Sequence, residues 1–347
     1  MTPAPDRGRL DVVVVGAGLA GLAAAQDLHA SGRRVAVLDK ARGVSGRAAT
    51  RRVPLPDGAQ ARLDHGARFF TARHDRAQAL VQAGLDGGWL REWARSFAVW
   101  EGGQVSRPAD GHPRYAPLEG LSALGKHLAQ GLDIRPGITV TRLDRGEGGW
   151  QIHDASGLVA QAGTVLLNLP APQLGPLLTG LDMALPDVTY APTWAAGVVL
   201  RADVPGADWP ALELRGHPVL DWVAREHTKR PPGHPPAMML HAGADWSRAH
   251  LERRPEAVLP DLLAAAEAVL GTPLDVAEAF AHRWRYATPE RRAAGPGVWK
   301  AELGLGLCGD GFTPDDHGPR VETALQSGWW LAGQVGAEQG GPGQASA

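Results

Sequence analysis

The sequence has one cysteine, no long apolar run and little net charge. Cys308 alone excludes an intrachain disulfide framework and a cysteine-rich metal site. No apolar stretch approaches the ~20 residues that span a bilayer, and residues 1–10 are too polar for a signal peptide. The formal net charge of −2 argues against a dedicated nucleic-acid-binding protein. We therefore expect a cytoplasmic protein without a metal, a nucleic-acid partner or a membrane attachment.

Glycine, in contrast, is abundant, with 45 in 347 residues and no repeat period. Such a composition indicates many tight turns or close backbone approaches, so the positions of the glycines carry information. The chain length favours two domains.

The N-terminal part of the chain has the pattern of a β-α-β unit. The β-branched run 11–15 predicts a strand buried on both faces of a parallel sheet. A glycine-rich segment, 16–21, follows at once, and 22–30 has an alanine-rich helical pattern. A second apolar strand, 34–38, ends at Asp39. This order predicts a Rossmann-like dinucleotide-binding domain.

The residues of this unit match the chemistry of a dinucleotide. Gly16 permits the tight turn, Gly18 lets the backbone approach a pyrophosphate, and Gly21 allows the helix to pack closely on the sheet. The start of the helix offers free N–H groups to the phosphates. Asp39 is at the distance expected for a carboxylate that accepts hydrogen bonds from ribose hydroxyls.

Two further segments favour FAD over NAD. Residues 42–47 supply flexible backbone and end in Arg47, a guanidinium suited to phosphate. Near the other end, a strand at 303–307 precedes Gly309 and Asp310, and a helix is expected over 319–331. An extended FAD would place its ribityl-pyrophosphate region beside Asp310. Its flavin ring would lie over the helix start near Val321, where the helix dipole stabilises charge on the reduced ring. The alternative is a capped terminal helix with Asp310 in an ordinary turn.

The remaining segments suggest an inserted second domain. Helices are expected at 75–85, 118–132 and 255–270, and strands at 89–105, 137–144, 149–154, 158–162, 164–169, 190–239 and 277–286, with a loop at 229–236. The predicted fold is α/β: a discontinuous Rossmann-like FAD-binding domain with an inserted substrate domain of mixed or antiparallel sheet plus helices. The expected FAD-binding parts are 8–74, 118–180 and 289–335, the substrate-domain parts are 75–117 and 181–288, and 336–347 is a flexible tail.

Taken together, the motifs resemble the renalase-like branch of the flavin-containing amine oxidase superfamily. The stretches that carry the resemblance are GAGLAG (16–21), DKARGVSGRAATRR (39–52), LDHGARFFTAR (63–73), HRWRYATP (282–289), GLCGDGF (306–312) and VETALQSG (321–328). The resemblance implies an amine-oxidase-like fold and non-covalent FAD. It also implies that Val140, in the strand after Gly137, lies beside the adenine.

The motifs and the resemblance together define one set of candidate cofactor residues. They are Gly16, Gly18, Leu19, Ala20, Gly21, Asp39, Lys40, Gly46, Arg47, Gly66, Ala67, Arg68, Val140, Gly309, Asp310 and Val321. Two positions depart from the family pattern: Ser45 replaces a glycine, and Arg68 replaces a common glutamine. A cation at residue 68 could alter the charge preference for substrate.

The resemblance implies oxidation of dihydro isomers of NAD(P)H, with hydride passing to flavin N5 and electrons to oxygen. Oxidation of an amine is the competing activity. It would favour an aromatic cage, for which Trp284, Tyr286 and Trp299 are candidates, although each also suits core packing. His65 could touch flavin or substrate, or make a structural hydrogen bond. A flavin-binding module without turnover is a third alternative. Cys308 is interpreted as a small buried residue.

Overall fold

The computed structural model describes residues 9–337, which contain the following helices and strands. The strands are β1 (Leu10–Val15), β2 (Val35–Asp39), β3 (Thr50–Pro54), β4 (Gln60–Asp64), β5 (Leu90–Ala94), β6 (Ala98–Glu101), β7 (Gln104–Ser106), β8 (Arg114–Pro117), β9 (Asp133–Pro136), β10 (Arg142–Gly146), β11 (Gly149–Asp154), β12 (Gly157–Leu167), β13 (Thr189–Leu200), β14 (Ala211–Arg215), β15 (Leu220–Arg225), β16 (Ala237–Ala242), β17 (Val276–Arg291), β18 (Ala293–Ala294), β19 (Val298–Lys300), β20 (Leu305–Leu307) and β21 (Phe312–Thr313). The helices are α1 (Leu19–Ala30), α2 (Asp75–Asp86), α3 (Ser122–Leu128), α4 (Gly175–Leu178), α5 (Ala244–Ala249), α6 (Pro255–Leu270) and α7 (Val321–Ala337), with short 3-10 turns at Ala171–Gln173 and Glu226–Lys229.

The chain forms two compact units, each assembled from separate stretches. The first unit takes the described residues up to Gly46, then Gly125–Thr189, and the described residues from Arg291 on. The second unit takes Arg47–Leu124 and Tyr190–Glu290. Across residues 9–337, no helix combines the length and the apolar character needed to cross a membrane.

The first unit is built on an eight-stranded sheet in which β12 is the central strand. The sheet runs β10-β11-β12-β1-β2-β9, and β20 pairs with both β12 and β19. The first half of β12 pairs antiparallel with β11, whereas its second half pairs parallel with β1 and β20. Four valines of β1, Val12–Val15, are buried, as a strand covered on both faces requires. Helix α7 packs on α1, and a Cβ at Gly328 would overlap the Ala20 carbonyl, so glycine permits this close approach.

The second unit contains a seven-stranded mixed sheet. Its order is β17-β13-β16-β15-β14-β6-β7, with β6 parallel to β14 and antiparallel pairing elsewhere along β13 to β16. Alternate residues of β16 enter two different cores: Met238 and Leu240 pack with Leu262 of α6, and Met239 packs with Leu63 of β4. The period of two along the strand therefore buries both faces of this sheet.

The α/β fold class and most of the expected elements are present, but several sequence predictions were wrong in detail. Val140 does not lie in a strand: Gly137 turns the chain with φ +76°, and the next strand begins at Arg142. Of the helix expected at 118–132, only Ser122–Leu128 forms, and Asp133–Pro136 adds an unexpected strand to β2. The strands expected at 158–162 and 164–169 are one strand, β12.

The two compact units also divide the chain at other residues than the sequence suggested. Residues 47–74 fall in the second unit, where β4 contacts β16 and the turn Glu226–Lys229. Helix α7 extends to Ala337 and so includes the first two residues of the tail expected at 336–347. Residue 8 and residues 338–347 lie outside the described part of the chain.

Candidate functional site

The glycine loop of the first unit is fitted around one side chain, that of Asn168, which directly follows β12. A Cβ at Gly18 would lie 2.7 Å from Asn168 Nδ2, and one at Gly21 would lie 2.9 Å from the same atom and overlap the Gly16 carbonyl. Gly16 has φ +104°, and a Cβ there would overlap the backbone carbonyl of Asn168. Asn168 Nδ2 donates a hydrogen bond of 3.3 Å to the Gly16 oxygen. Backbone packing therefore requires glycine at residues 16 and 21, whereas a Cβ at residue 18 would meet the end of the Asn168 side chain.

Asp39 lies at the end of β2, beside this loop. Its Oδ2 accepts from the Ala17 N–H at 2.6 Å, and its Oδ1 accepts from the Ala41 N–H at 2.7 Å. The Ile138 N–H donates to the Asp39 carbonyl, so the loop that carries Val140 is joined to the same strand end. The two expected nucleotide contacts Asp39 and Val140 therefore lie on adjoining segments of one unit.

Helix α1 begins at Leu19, one residue after Gly18, and buries Leu19 and Ala20. The side chain of Lys40 is exposed and lies 3.4 Å from Gln173 Oε1. The ammonium group of Lys40 is therefore exposed to solvent.

Ser45 and Gly46 pack directly against the glycine loop. Ser45 is buried with φ +93°, a conformation that favours glycine, and its N–H donates to the Ala17 carbonyl at 2.8 Å. A Cβ at Gly46 would lie 3.2 Å from the Gly18 Cα. Ser45 therefore adopts a left-handed backbone conformation that glycine adopts without strain.

The C-terminal motif forms a second glycine turn in the first unit. Gly309 has φ +144°, and its N–H donates to Ser327 Oγ of α7 at 2.9 Å; the Ser327 hydroxyl donates to the Pro296 carbonyl. Asp310 follows in the turn, and α7 begins at Val321 as expected. Burial raises the pKa of the Cys308 thiol to about 12, which agrees with its interpretation as an inert buried residue.

The N-terminal end of α7, where the helix dipole is positive, already contains a protein carboxylate. Glu322, in the first turn of the helix, is fully buried, and its carboxylate lies 3.6 Å from Arg320 Nη2. A carboxylate at this position uses part of the helix dipole. Stabilisation of reduced flavin by α7 thus stays a prediction.

In the second unit, β17 carries a stripe of rings on one face. Phe280, His282, Trp284 and Tyr286 alternate along the strand and therefore share a face. His65 stacks on Trp284 with ring centroids 5.5 Å apart and meets His282 at 4.8 Å. We call these four residues of β17, together with His65, the ring stripe.

Trp284 and Tyr286 of the ring stripe also contact neighbouring segments of the second unit. Trp284 Nε1 donates to the His65 carbonyl at 2.6 Å, so this tryptophan fixes the segment that follows β4. Tyr286 packs edge-on to Tyr190 at 5.8 Å. The third cage candidate, Trp299, belongs to β19 of the first unit.

The histidines near the ring stripe are held in their neutral form. Burial, and then the neighbouring His282, lower the pKa of His65 to about 4. Burial and the charge of Arg51 lower the pKa of His282, and burial with Arg68 lowers that of His241 well below its usual value. At neutral pH these rings therefore carry no charge.

The structure brings Arg47, Gly66 and Ala67 together. The Ala67 N–H donates to the Arg47 carbonyl at 2.8 Å, and a Cβ at Gly66 would overlap that same carbonyl. Arg47 Nη1 donates to the carbonyls of Tyr286 and Ala287 at 3.3 and 2.9 Å. These contacts join the His65–Arg68 segment to β17.

Arg68 has a fixed guanidinium. Its Nε donates to His241 Nδ1 at 2.9 Å, its Nη2 donates to Asp221 Oδ1 at 2.7 Å, and the group lies 4.9 Å from the Trp222 ring centroid. Burial raises the pKa of Asp221, although Arg68 opposes the shift. The cation that replaces the family's glutamine is thus paired within the second unit.

Sequence reasoning missed a buried group of four charges, which we call the charge cluster: Asp64, Glu226, Lys229 and Arg230. Each is at most 2% exposed. Lys229 Nζ contacts Glu226 Oε1 at 2.6 Å and Asp64 Oδ2 at 3.3 Å, and Arg230 Nη2 contacts Asp64 Oδ2 at 2.6 Å. Burial opposes ionisation of Asp64, but Arg230 and Lys229 lower its pKa to about 2.

The charge cluster also supports the His65–Arg68 segment. Lys229 Nζ donates to the Arg68 carbonyl at 2.8 Å, and the Asp64 N–H donates to Glu226 Oε2 at 3.0 Å. The i, i+3 and i+4 spacing of one acid and two bases at 226–230 was the only sequence signal for this group.

Comparisons with known proteins agree with this architecture. Residues 14–83 match the family model of the NAD(P)-binding Rossmann-like domain. One curated relative is the tRNA 5-methylaminomethyl-2-thiouridine biosynthesis bifunctional protein of Polaromonas sp. strain JS666, 29% identical over 262 residues. That match covers 62% of this chain and 40% of the relative, so the chain spans well under half the length of that protein.

Solved structures match nearly the whole chain. A protein of Exiguobacterium sp. 255-15 assigned as a protoporphyrinogen oxidase has a TM-score of 0.74 at 16% identity, covering 96% of this chain and 100% of that one. Cyclohexylamine oxidase of Brevibacterium oxydans IH-35A has a TM-score of 0.73 at 11% identity, covering 96% and 100%. Putrescine oxidase bound to putrescine has a TM-score of 0.70 at 13% identity, covering 95% and 99%. This chain has the fold of these oxidases.

Proposed function

We propose that this protein is an FAD-dependent oxidoreductase that takes hydride from a small donor. The observation that carries the proposal is the glycine loop of the first unit, with Asp39 beside it and α1 starting directly after Gly18. The first N–H groups of α1 have no acceptor within the helix, so they are available to a pyrophosphate. The fold shared with oxidases over 95–96% of the chain supports the same proposal.

The residues present fit a dinucleotide. The glycines at 16, 18 and 21 let the loop pack closely on Asn168 and pass directly into α1, whose first N–H groups face the loop. FAD, held without a covalent bond, would supply the hydride-accepting flavin ring. The loop N–H groups would bind the pyrophosphate, and Asp39 would exchange its Ala17 contact for ribose hydroxyls. With FAD bound, the two electrons taken from the donor would pass to dioxygen, which with two protons would give hydrogen peroxide.

For the donor, we propose a dihydronicotinamide nucleotide, as in renalase-like oxidation of dihydro-NAD(P) isomers. Such a donor has a labile hydride and needs no strong base, which agrees with neutral His65 and His282. The face of Phe280 is already covered by the Arg51 guanidinium, 4.2 Å from the ring centroid. A cation at the ring stripe favours an anionic phosphate-bearing donor over an ammonium group. The cytoplasmic location expected from the sequence stays a prediction.

Amine oxidation is the second candidate, favoured by the names of the two amine oxidases that share the fold. In that case Trp284 or Tyr286 would contact the amine. However, Trp284 already stacks on His65 and donates its N–H to the His65 carbonyl. A flavin-binding module without turnover is the third candidate.

The deciding experiment is anaerobic reduction of the purified yellow protein, followed at the flavin absorbance by stopped flow. The donors are 2- and 6-dihydro-NAD, NADH, putrescine and cyclohexylamine. We expect rapid bleaching by the dihydro-NAD isomers, and recovery of the colour with hydrogen peroxide when oxygen is admitted. Bleaching by the amines alone would contradict the nucleotide donor, and bleaching by no donor would favour the binding module. A colourless protein that FAD cannot reconstitute would overturn the flavin proposal.

A matched variant tests the charge argument. We expect Arg51→Gln to slow reduction by dihydro-NAD isomers about tenfold, equivalent to ~1.4 kcal/mol, without slowing it for uncharged dihydronicotinamide riboside. The control is Arg52→Gln at the neighbouring position of β3, where the half-buried guanidinium donates to the Glu119 carbonyl. An equal loss with both donors would contradict a phosphate-directed role of Arg51.

A further inference from the structure

Asn168 lies at the carboxyl end of the central strand, where the parallel strands of such a sheet meet their ligands. The two ends of its carboxamide face two different glycine segments. Nδ2 donates to the Gly16 carbonyl, and Oδ1 would lie 3.5 Å from a Cβ at Gly309. One side chain therefore touches the N-terminal glycine loop and faces the C-terminal glycine turn.

Gly18 shows how closely the loop depends on this side chain. Its backbone has φ −74° and ψ 171°, which alanine adopts without strain. The three atoms nearest to a Cβ there all belong to the Asn168 side chain, at 2.7, 3.7 and 3.9 Å. Conformation does not demand a glycine at residue 18, and the contact that opposes a Cβ there is with the Asn168 amide.

Gly16 and Gly21 differ from Gly18 in this respect. A Cβ at Gly21 would overlap the Gly16 carbonyl, and one at Gly16 would overlap the backbone carbonyl of Asn168. Those backbone contacts remain if the Asn168 side chain is shortened. The chain therefore offers its own controls for a test of the side-chain contact.

We infer that Asn168 is a positioning residue of the dinucleotide site: its amide fixes the Gly16 carbonyl and excludes any side chain from residue 18. The loop N–H groups are thereby aimed at the pyrophosphate before the ligand arrives. Preorganised donors bind an anion more tightly than donors that must first be ordered. The inference rests on the dinucleotide site of the proposed function, and it does not depend on which donor is oxidised.

The test is a double-mutant cycle on the full chain, with two readouts. The melting temperature of the apoprotein is measured for wild type, Gly18→Ala, Asn168→Ala and the double variant. Dissociation constants are measured by titration calorimetry with FAD and with ADP-ribose, which carries the pyrophosphate but no flavin. Gly16→Ala, alone and with Asn168→Ala, is the matched control.

We expect Gly18→Ala to lower the apoprotein melting temperature by about 2–4 °C or more in the wild-type background and by less than ~1 °C beside Asn168→Ala. Gly16→Ala, whose Cβ would meet the backbone of Asn168 and not its side chain, should lower it equally in both backgrounds. Asn168→Ala should weaken ADP-ribose and FAD about tenfold, and the flavin spectrum of the saturated variant should match wild type. Asn168→Asp should weaken both further, because a carboxylate would face the Gly16 carbonyl and the pyrophosphate.

An equal effect of Gly18→Ala in both backgrounds would overturn the inference, as would wild-type affinity in Asn168→Ala. A chain that binds ADP-ribose but not FAD would contradict the proposed function alone, and the cycle would still decide the role of Asn168. Binding of neither ligand by wild type would overturn both proposals.

Discussion

At the scale of single residues, the sequence predicted the glycines of the site but not the partners that require them. Gly16, Gly18 and Gly21 were identified from their spacing, and the structure fits all three around Asn168. A lone asparagine after an apolar strand has no pattern that reveals its role. Its effect depends on a loop 152 residues earlier in the chain, and such distant contacts are invisible to local periodicity.

Ser45 is a second residue whose local structure the sequence did not reveal. The sequence revealed that a serine stands where the family has glycine, but not that this serine adopts φ +93°. A non-glycine residue in that region costs about 1 kcal/mol and persists only where its surroundings hold it. The hydrogen bond from Ser45 N–H to Ala17 helps to hold it here.

His65 gives a residue-scale prediction about pH. Its pKa is about 4 in the folded protein and about 6.5 when unfolded. Folding therefore favours the neutral ring, so its contribution is complete above pH ~6.5 and is lost as the pH falls toward 4. We expect the free energy of unfolding to fall by about 1–2 kcal/mol more in wild type than in His65→Phe between pH 7 and pH 5. Urea titrations at both values measure the difference.

The control for this prediction is His29→Phe, which makes the same change of side chain at an exposed position of α1. Phenylalanine at residue 65 keeps a ring that can pack against Trp284 while removing the titrating group. Parallel pH curves for wild type and His65→Phe would contradict the neutral buried ring.

At the scale of elements, the alternation of ring and charged residues predicted strand β17. The burial of Lys229, in contrast, could not be predicted. The rings of Phe280, His282, Trp284 and Tyr286 alternate along β17 with Arg283 and Arg285, which pair with Glu252. The sequence therefore predicts which residues share each face of β17. The segment 229–236 was expected to be a loop because of its prolines and glycine. Residues 230–236 do form a loop, but Lys229 at its start is fully buried. This burial was not predictable because its partner Asp64 lies 165 residues away in the chain. The short polar strand β9 was missed because DIRP lacks an apolar pattern.

The charge cluster gives the element-scale prediction. Lys229→Met leaves Glu226 and Asp64 buried with only Arg230 to balance them. Removing one partner from a buried ion pair costs about 3–5 kcal/mol, so we expect a loss of that order in the free energy of unfolding. Equilibrium urea denaturation at pH 7 measures it.

Two further variants separate charge from size. Lys126→Met, at an exposed lysine of α3, should change stability by less than ~0.5 kcal/mol. Adding Glu226→Gln to Lys229→Met removes the unbalanced carboxylate and should recover at least half of the loss. A double variant no more stable than Lys229→Met would show that the cluster is not an electrostatic unit.

At the scale of the whole molecule, the sequence predicted a discontinuous nucleotide-binding part but set its borders differently. The first border was expected at residue 74, where helix-like pattern begins, whereas the compact units divide after Gly46. Residues 50–64 form the β3–β4 hairpin, and the charge cluster ties its end to the turn at 226–229. A contact between such distant stretches leaves no pattern in the local sequence. The sequence therefore predicted that the two units alternate along the chain, but not the residues at which they divide.

This assembly makes the first unit dependent on the end of the chain. Strand β20 pairs with β12, α7 packs on α1 through Gly328, and Ser327 accepts from the Gly309 N–H. A chain ending at Glu290 lacks all three contacts, so we expect it to lose ADP-ribose and FAD binding by at least a hundredfold, about 2.7 kcal/mol. A chain ending at residue 337 keeps them and should bind like the full-length protein. Calorimetric titration of both fragments gives the answer, and wild-type affinity in the shorter one would show that the glycine loop is held without α7 and β20.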